Sequence, residues 1–213
     1  MTAVPSREEW IKVLACRHGE KLQKKLSAST AAICGLGGLG SGIAVSLART
    51  GIGNLILIDF DLVDISNLHR QQYKAAQTGM RKTDALSENL YEIAPYTLTK
   101  THFRRITAEN LSELLADADI ICEAFDEPEE KAMLVNGVLE KLPNKYLIAA
   151  SGMAGLASAN LIKTRRISKN FILCGDGISE ASPLSGLFSS RVMLCAAHQA
   201  HAAIRIISGE TEF

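Results

Sequence analysis

The stretch Ile33-Cys34-Gly35-Leu36-Gly37-Gly38-Leu39-Gly40-Ser41 joins a short apolar run to a run of small residues through glycines spaced G-x-G-x-x-G. Gly35 permits a tight turn, Gly37 lets the backbone approach a phosphate with no β-carbon between them, and Gly40 lets a new helix lie close on a sheet. The free N–H groups and dipole at the start of that helix favour an anion. The spacing predicts strand, phosphate-binding turn and helix. It leaves open which nucleotide binds and what is done to it.

The flanking pattern places this turn in a βαβ unit: a strand over 30–34, a helix over 41–49, a turn at 51–53 and a strand over 54–59. Upstream, residues 6–26 mix charges with Trp10, Val13, Leu14, Leu22 and Leu26, which reads as one or two amphipathic helices. Downstream, an irregular stretch over 60–80 precedes a helix over 82–93 that stops before Pro95. A strand over 98–103, a helix over 108–115, an apolar run over 120–125, a helix over 128–142 and a strand over 146–151 follow. This alternation predicts an α/β fold with parallel strands and helices on both faces. Two further strands, over 159–164 and 170–174, lack a helix between them and predict an antiparallel extension of the sheet. A helix from 189 to 207 closes the chain.

The chain has 213 residues, 47% of them hydrophobic, enough for one substantial core. The expected organisation is a single domain over 1–213, with a helical arm over 1–28, a nucleotide-binding core over 30–150, and a sheet extension with closing helix over 151–213. Lys plus Arg equals Asp plus Glu at 23 each, so no global charge favours nucleic acid or a membrane surface. Five cysteines without a C-x-x-C pair form neither a disulfide framework nor a zinc-ligand pattern. With no secretory leader or membrane-spanning run apparent, the expected compartment is the cytoplasm.

Asp59 ends the second strand about 20 residues past the glycine loop, where a carboxylate accepts hydrogen bonds from a ribose. A nicotinamide-dependent oxidoreductase shares that much. The next residues are unlike one: Asp59-Phe60-Asp61 runs on to Ser66-Asn67-Leu68-His69-Arg70-Gln71, then Gly79-Met80-Arg81-Lys82, with Phe125-Asp126 further on. An amide, a guanidinium and an ammonium gathered near the ribose acid suit a triphosphate.

With these motifs in this order, residues 30–160 resemble the sulfur-carrier adenylyltransferases, the ThiF/MoeB family, related to ubiquitin-activating enzymes. The resemblance implies a Rossmann-like fold. It implies that Gly35, Gly37, Gly38, Gly40 and Asp61 line the nucleotide, that Asp59 holds the ribose, that Asn67, Arg70 and Lys82 bind the phosphates, and that Asp126 positions magnesium. The implied reaction is attack by the C-terminal glycine carboxylate of a small ubiquitin-like carrier, ending in Gly-Gly, on the α-phosphate of ATP. Relatives complete the site with an arginine from the arm of a homodimer partner. Arg17 is the candidate and Arg7 the alternative.

Longer relatives carry two zinc-binding C-x-x-C pairs that are missing here, so no zinc is expected, and the short ThiF-like form points to a ThiS-like sulfur carrier of thiamine biosynthesis. Cys174, in Leu173-Cys174-Gly175-Asp176-Gly177, is the candidate for a covalent sulfur link. The competing reading is a small buried hydrophobe. His198 and His201 share a helical face without an evident third metal ligand. Glu127, Glu129 and Glu130 suit a helix N-terminus. Other functions compatible with the residues are activation of a carboxylate in RNA modification, and a non-catalytic dimer that binds a carrier tail.

Overall fold

Strand β1 (Thr30–Cys34) is an interior strand of the sheet, which has seven strands among the described residues, and every residue after its first is buried. Its neighbours are β2 (Asn54–Asp59) and β4 (Ile120–Glu123), both parallel to it. β3 (Leu98–Phe103) pairs outside β2, while β5 (Tyr146–Ala150) and β7 (Phe171–Gly175) continue the parallel set beyond β4. β6 (Lys163–Arg166) is the antiparallel edge, giving the order β3-β2-β1-β4-β5-β7-β6. Its Lys163, Arg165 and Arg166 place charge on an edge that would otherwise invite another strand. The computed structural model describes residues 4–180, 182, 185–210 and 212.

The strands that read as apolar runs bury both faces, so the chain needs helices on each side. One face carries α3 (Gly38–Thr50), α4 (Lys82–Ile93) and α7 (Ser189–Ser208), packed through Ile43, Leu47, Leu86, Leu90, Cys195 and Ala203. The other carries α5 (Leu111–Leu114) and α6 (Pro128–Lys141), packed through Leu111, Leu114, Leu134 and Val138. This is the expected Rossmann-like α/β layering, with the expected antiparallel extension.

Three local expectations differ from the structure. The helix expected over 108–115 shortens to α5, because Thr107 and Asn110 form a turn in which Thr107 N–H donates to Asn110 Oδ1 at 2.8 Å. The apolar run over 120–125 leaves the sheet after Glu123, whose carboxylate accepts the Phe125 N–H at 2.8 Å. Residues Ala159–Leu161 form a 3-10 turn, not a strand, with Ser158 Oγ accepting from Asn160 N–H at 3.3 Å.

The arm forms two helices, α1 (Arg7–His18) and α2 (Glu20–Ala28). α1 has a complete capping box between Ser6 and Glu9 but no fully buried residue, so its side chains do not sort into the expected apolar and polar faces. Both helices attach near the N-terminal ends of the strands. Gln23 Nε2 donates to Gly51 O at 3.1 Å, Gly53 N–H to Leu26 O at 2.9 Å, and Trp10 packs at 6.5 Å from Tyr96.

Candidate nucleotide site

The glycine loop leaves β1 at Gly35 with φ of +91°, a left-handed backbone that glycine adopts without strain. A β-carbon on Gly40 would lie 1.8 Å from the Gly35 carbonyl oxygen, so the first turn of α3 closes on the loop because this position has no side chain. The loop therefore presents backbone rather than side chains at the C-terminal edge of the sheet. That edge lies between β1 and β4, where the strand order reverses direction and an open α/β sheet leaves a crevice.

Asp59 reaches the loop from the end of β2. Its Oδ2 accepts the Leu36 N–H at 2.6 Å and its Oδ1 accepts the Asp61 N–H at 2.7 Å. Each carboxylate oxygen retains acceptor capacity for a hydroxyl. Burial pushes the Asp59 carboxyl above its ordinary pKa, opposed by the nearby Lys82 ammonium and by these two N–H groups. Lys82 opens α4 with its side chain nearly buried and pairs with Asp61 at 2.7 Å.

The opposite flank comes from the segment between Asp64 and Tyr73. A 3-10 turn over Ile65–Asn67, capped by Asp64, lets Asn67 Oδ1 accept from Arg70 Nη2 at 2.8 Å. The Arg70 side chain packs at Gly38, with its Cγ 3.5 Å from where a β-carbon would stand. Asp59, Asp61 and Lys82 thus form one group, and Asn67 and Arg70 a second, on two sides of Gly35–Gly40. Asp126 follows Phe125, whose ring lies against Gly35, and is exposed at the mouth of the crevice.

The remaining candidates lie elsewhere. Arg17 is exposed near the C-terminal end of α1, on the arm at the other end of the strands, so within one chain it does not join Arg70 and Lys82. A groove of about 1090 Å³ between α1 and α2 is likewise remote from the glycine loop. Cys174 is fully buried in β7. Burial pushes its thiol up to about 11, only partly offset by Thr164 and Arg165. This environment holds a neutral thiol rather than a thiolate. His198 Nδ1 is within 2.8 Å of Thr164 Oγ1. Among the described residues no group of three His, Cys, Asp or Glu is arranged to hold a metal ion.

Several residues at this edge escaped the sequence reading. Tyr73 donates its hydroxyl to Leu36 O at 2.7 Å, so Leu36 is held through its carbonyl by Tyr73 and through its N–H by Asp59. Gln71 is buried beside Gly37, with its Nε2 3.7 Å from a β-carbon position there and its Oε1 without a partner within the protein. Glu123, fully buried, pairs with Lys131 at 2.6 Å, and burial raises its carboxyl despite that ammonium and the N–H groups of Phe125 and Ala150. A lone acid inside the apolar run 120–125 was the available signal for this pair. Asp176 and Arg191 form a second buried pair at 2.5 Å.

Fold and site together define a Rossmann-like protein whose glycine loop has an acidic side chain, Asp59, on one flank and a basic one, Arg70, on the other. The ThiF family model matches residues 12–213, and the chain belongs to the ThiF family. The chain is 36% identical over 132 residues to the adenylyltransferase and sulfurtransferase uba4 of Aspergillus terreus, covering 62% of this chain and 27% of that protein. It is 38% identical over 113 residues to the molybdopterin-synthase adenylyltransferase of Haemophilus influenzae, covering 53% of this chain and 46% of that one. The matched part is thus less than half of either relative. In fold it resembles E. coli tRNA N6-threonylcarbamoyladenosine dehydratase, TcdA, solved with AMP, with TM-score 0.85 and 20% identity over 98% of both chains. It also resembles E. coli MccB solved with ATP, with TM-score 0.69 and 24% identity over 89% of this chain and 59% of that one. Among the described residues no helix is long and apolar enough to cross a membrane.

Proposed function

We propose that this protein is an ATP-dependent adenylyltransferase that activates the C-terminal glycine carboxylate of a small ubiquitin-like sulfur carrier, releasing pyrophosphate and leaving an acyl-adenylate. The observation that carries this reading is the glycine loop held between Asp59 on one flank and the Asn67–Arg70 pair on the other. Asp59 accepts ribose hydroxyls. Arg70 offers a planar fork to phosphate oxygens, and Lys82, released from Asp61, follows the charge that develops on the departing pyrophosphate. No protein nucleophile is needed, so the rate rests on positioning and on charge placed in advance. The donors present suit magnesium, which takes one or two carboxylates plus phosphate oxygens. Asp126 is the residue that would hold it, and the ion would neutralise phosphate charge.

The relatives support a carboxylate-activating adenylyltransferase. The absence of paired C-x-x-C motifs from the sequence favours a ThiS-like carrier of thiamine biosynthesis. In this reading the protein is a cytoplasmic homodimer, in which Arg17 enters the partner's site from the arm. A second reading, activation of a carboxylate on a modified tRNA, is favoured by the likeness to TcdA over 98% of both chains.

ATP–pyrophosphate exchange with magnesium separates the two readings when run with a purified carrier ending in Gly-Gly and, in parallel, with tRNA bearing N6-threonylcarbamoyladenosine. Carrier-dependent exchange is the expected result. Exchange with the tRNA alone transfers the assignment to the second reading, and tight NAD binding without exchange overturns both. Arg70→Ala is expected to abolish exchange while the thermal midpoint stays within a few degrees, because the guanidinium is a surface group of the site and not part of the core.

A further inference from the structure

The buried pair Asp176–Arg191 has no part in the site described above, yet it lies beside that site. Arg191 is in the first turn of α7, where the helix dipole disfavours a cation, so helix stability does not account for it. Its Nη2 donates to Asp176 Oδ2 at 2.5 Å, its Nη1 to the carbonyls of Ala157 and of Ser158 (the latter at 3.1 Å), and its Nε to Met153 O at 3.4 Å. Asp176 in turn accepts the N–H groups of Ile178 at 2.9 Å and Ser179 at 2.8 Å, and the Ser179 hydroxyl at 2.8 Å. One ion pair, with side chains 5% and 4% exposed, therefore fastens two segments: the loop after β5 and the turn after β7.

These segments rise from the C-terminal ends of β5 and β7, on the same edge of the sheet as the glycine loop. They cross at close range, with Asp176 N–H donating to Gly152 O and Gly177 N–H to Ser151 O, both at 2.9 Å. The next residue of α7, Val192, packs on Gly38, with its Cγ1 2.7 Å from where a β-carbon would stand. The first turn of α7, which carries Arg191, thus packs directly on the glycine loop. The two fastened segments also carry large apolar side chains outward: Leu156 is 82% and Ile178 84% exposed. The ribose acid and the Asp61–Lys82 pair lie at the end of β2, Arg70 lies where Gly38 meets α7, and the β5–β7 segments continue the same edge of the sheet beyond β4.

We propose that Arg191 is a positioning residue: through Asp176 it fixes residues 151–158 and 175–179 as the wall along which the acyl substrate's tail reaches the nucleotide. This rests on the adenylyltransferase reading. A preset wall matters because a displacement of about 1 Å in a bound reactant lowers the rate by about a hundredfold. Lysine cannot replace the fork that joins one carboxylate to three carbonyls.

The test compares wild type with Arg191→Lys, Arg191→Met and Asp176→Asn. It uses ATP–pyrophosphate exchange with a purified ubiquitin-like carrier ending in Gly-Gly, ATP binding by calorimetry, and amide hydrogen exchange. The expected result is a KM for the carrier raised at least about tenfold and a Kd for ATP within twofold of wild type. Amides of 152–158 and 176–179 should exchange faster, with those of 36–41 unchanged. Should Arg191→Met fail to fold, the isosteric Asp176→Asn carries the same test. Equal loss of carrier and ATP binding, or an unchanged carrier KM, overturns the proposal. Wild-type protein that binds ATP but shows no exchange with the carrier overturns the functional reading and the wall's role with it. Wild-type exchange with no such split in the variants overturns the wall alone.

Discussion

Gly40 shows how much one missing side chain decides. A β-carbon there would stand 1.8 Å from the Gly35 carbonyl oxygen, so Gly40→Ala must push α3 away from the loop. The expected cost is about 3 kcal/mol, read as a lower urea midpoint, with ATP binding lost in the same variant. Asp59 is the complementary case, since its carboxylate already organises Leu36 and Asp61 before any ligand arrives. Asp59→Asn keeps the shape but removes the charge. A hydrogen bond to a charged group contributes about 1.5–3 kcal/mol, so ATP affinity should fall roughly 10- to 100-fold by calorimetry. The close packing at Gly40 and the presence of an acid at the end of β2 were legible in the sequence, because both are local signals, whereas the Leu36 and Asp61 contacts of Asp59 were not. For Cys174 the sequence left two readings, a sulfur-linking thiol and a buried hydrophobe, and burial by neighbours far away in the chain, which raises its pKa, decided for the second.

At the scale of elements, β4 and α6 are joined by Glu123 and Lys131, eight residues apart. Removing one partner of a buried pair leaves the other charge uncompensated, so Lys131→Met should cost about 3–5 kcal/mol in chemical denaturation. Adding Glu123→Gln should recover a large part of that loss, because no buried charge then remains. Strands β1 to β3 were legible to the residue, since apolar runs bounded by turn signals set them. The strand expected over 159–164 was displaced because Ser158 caps a 3-10 turn while the carbonyls of Ala157 and Ser158 accept from Arg191. A local β preference gave way to a contact more than thirty residues distant.

For the molecule as a whole, the same Asp176–Arg191 pair joins the closing helix to the sheet and sets an acid limit on stability. Burial alone would raise the Asp176 carboxyl, but the N–H groups of Ser179 and Ile178, the Ser179 hydroxyl and Arg191 together hold it at about 2, below its ordinary 3.8. A carboxylate lowered in the folded state stabilises fully above the unfolded value, and that contribution is lost as pH falls through the folded one. Stability should therefore drop between about pH 4 and pH 2, and Asp176→Asn should flatten that part of a thermal-midpoint profile. Removing residues 1–20 strips α1 and its Trp10–Tyr96 contact from the N-terminal ends of the strands. If Arg17 acts across a dimer, that deletion abolishes exchange, whereas mixing Arg17→Ala with Arg70→Ala protein restores part of it.

The sequence by itself determined the βαβ unit, the alternation that makes the sheet parallel, and the order of Gly35, Asp59, Asn67, Arg70 and Lys82 along the chain around the glycine turn. Those features follow from backbone freedom, side-chain periodicity and short spacing. Only the tertiary structure decided that Tyr73 and Gln71 close on the loop, that Glu123 meets Lys131, and that Arg191 crosses to Asp176. A buried polar group is tolerated where distant segments supply its partner, and that pairing exists only once the sheet and α7 have come together.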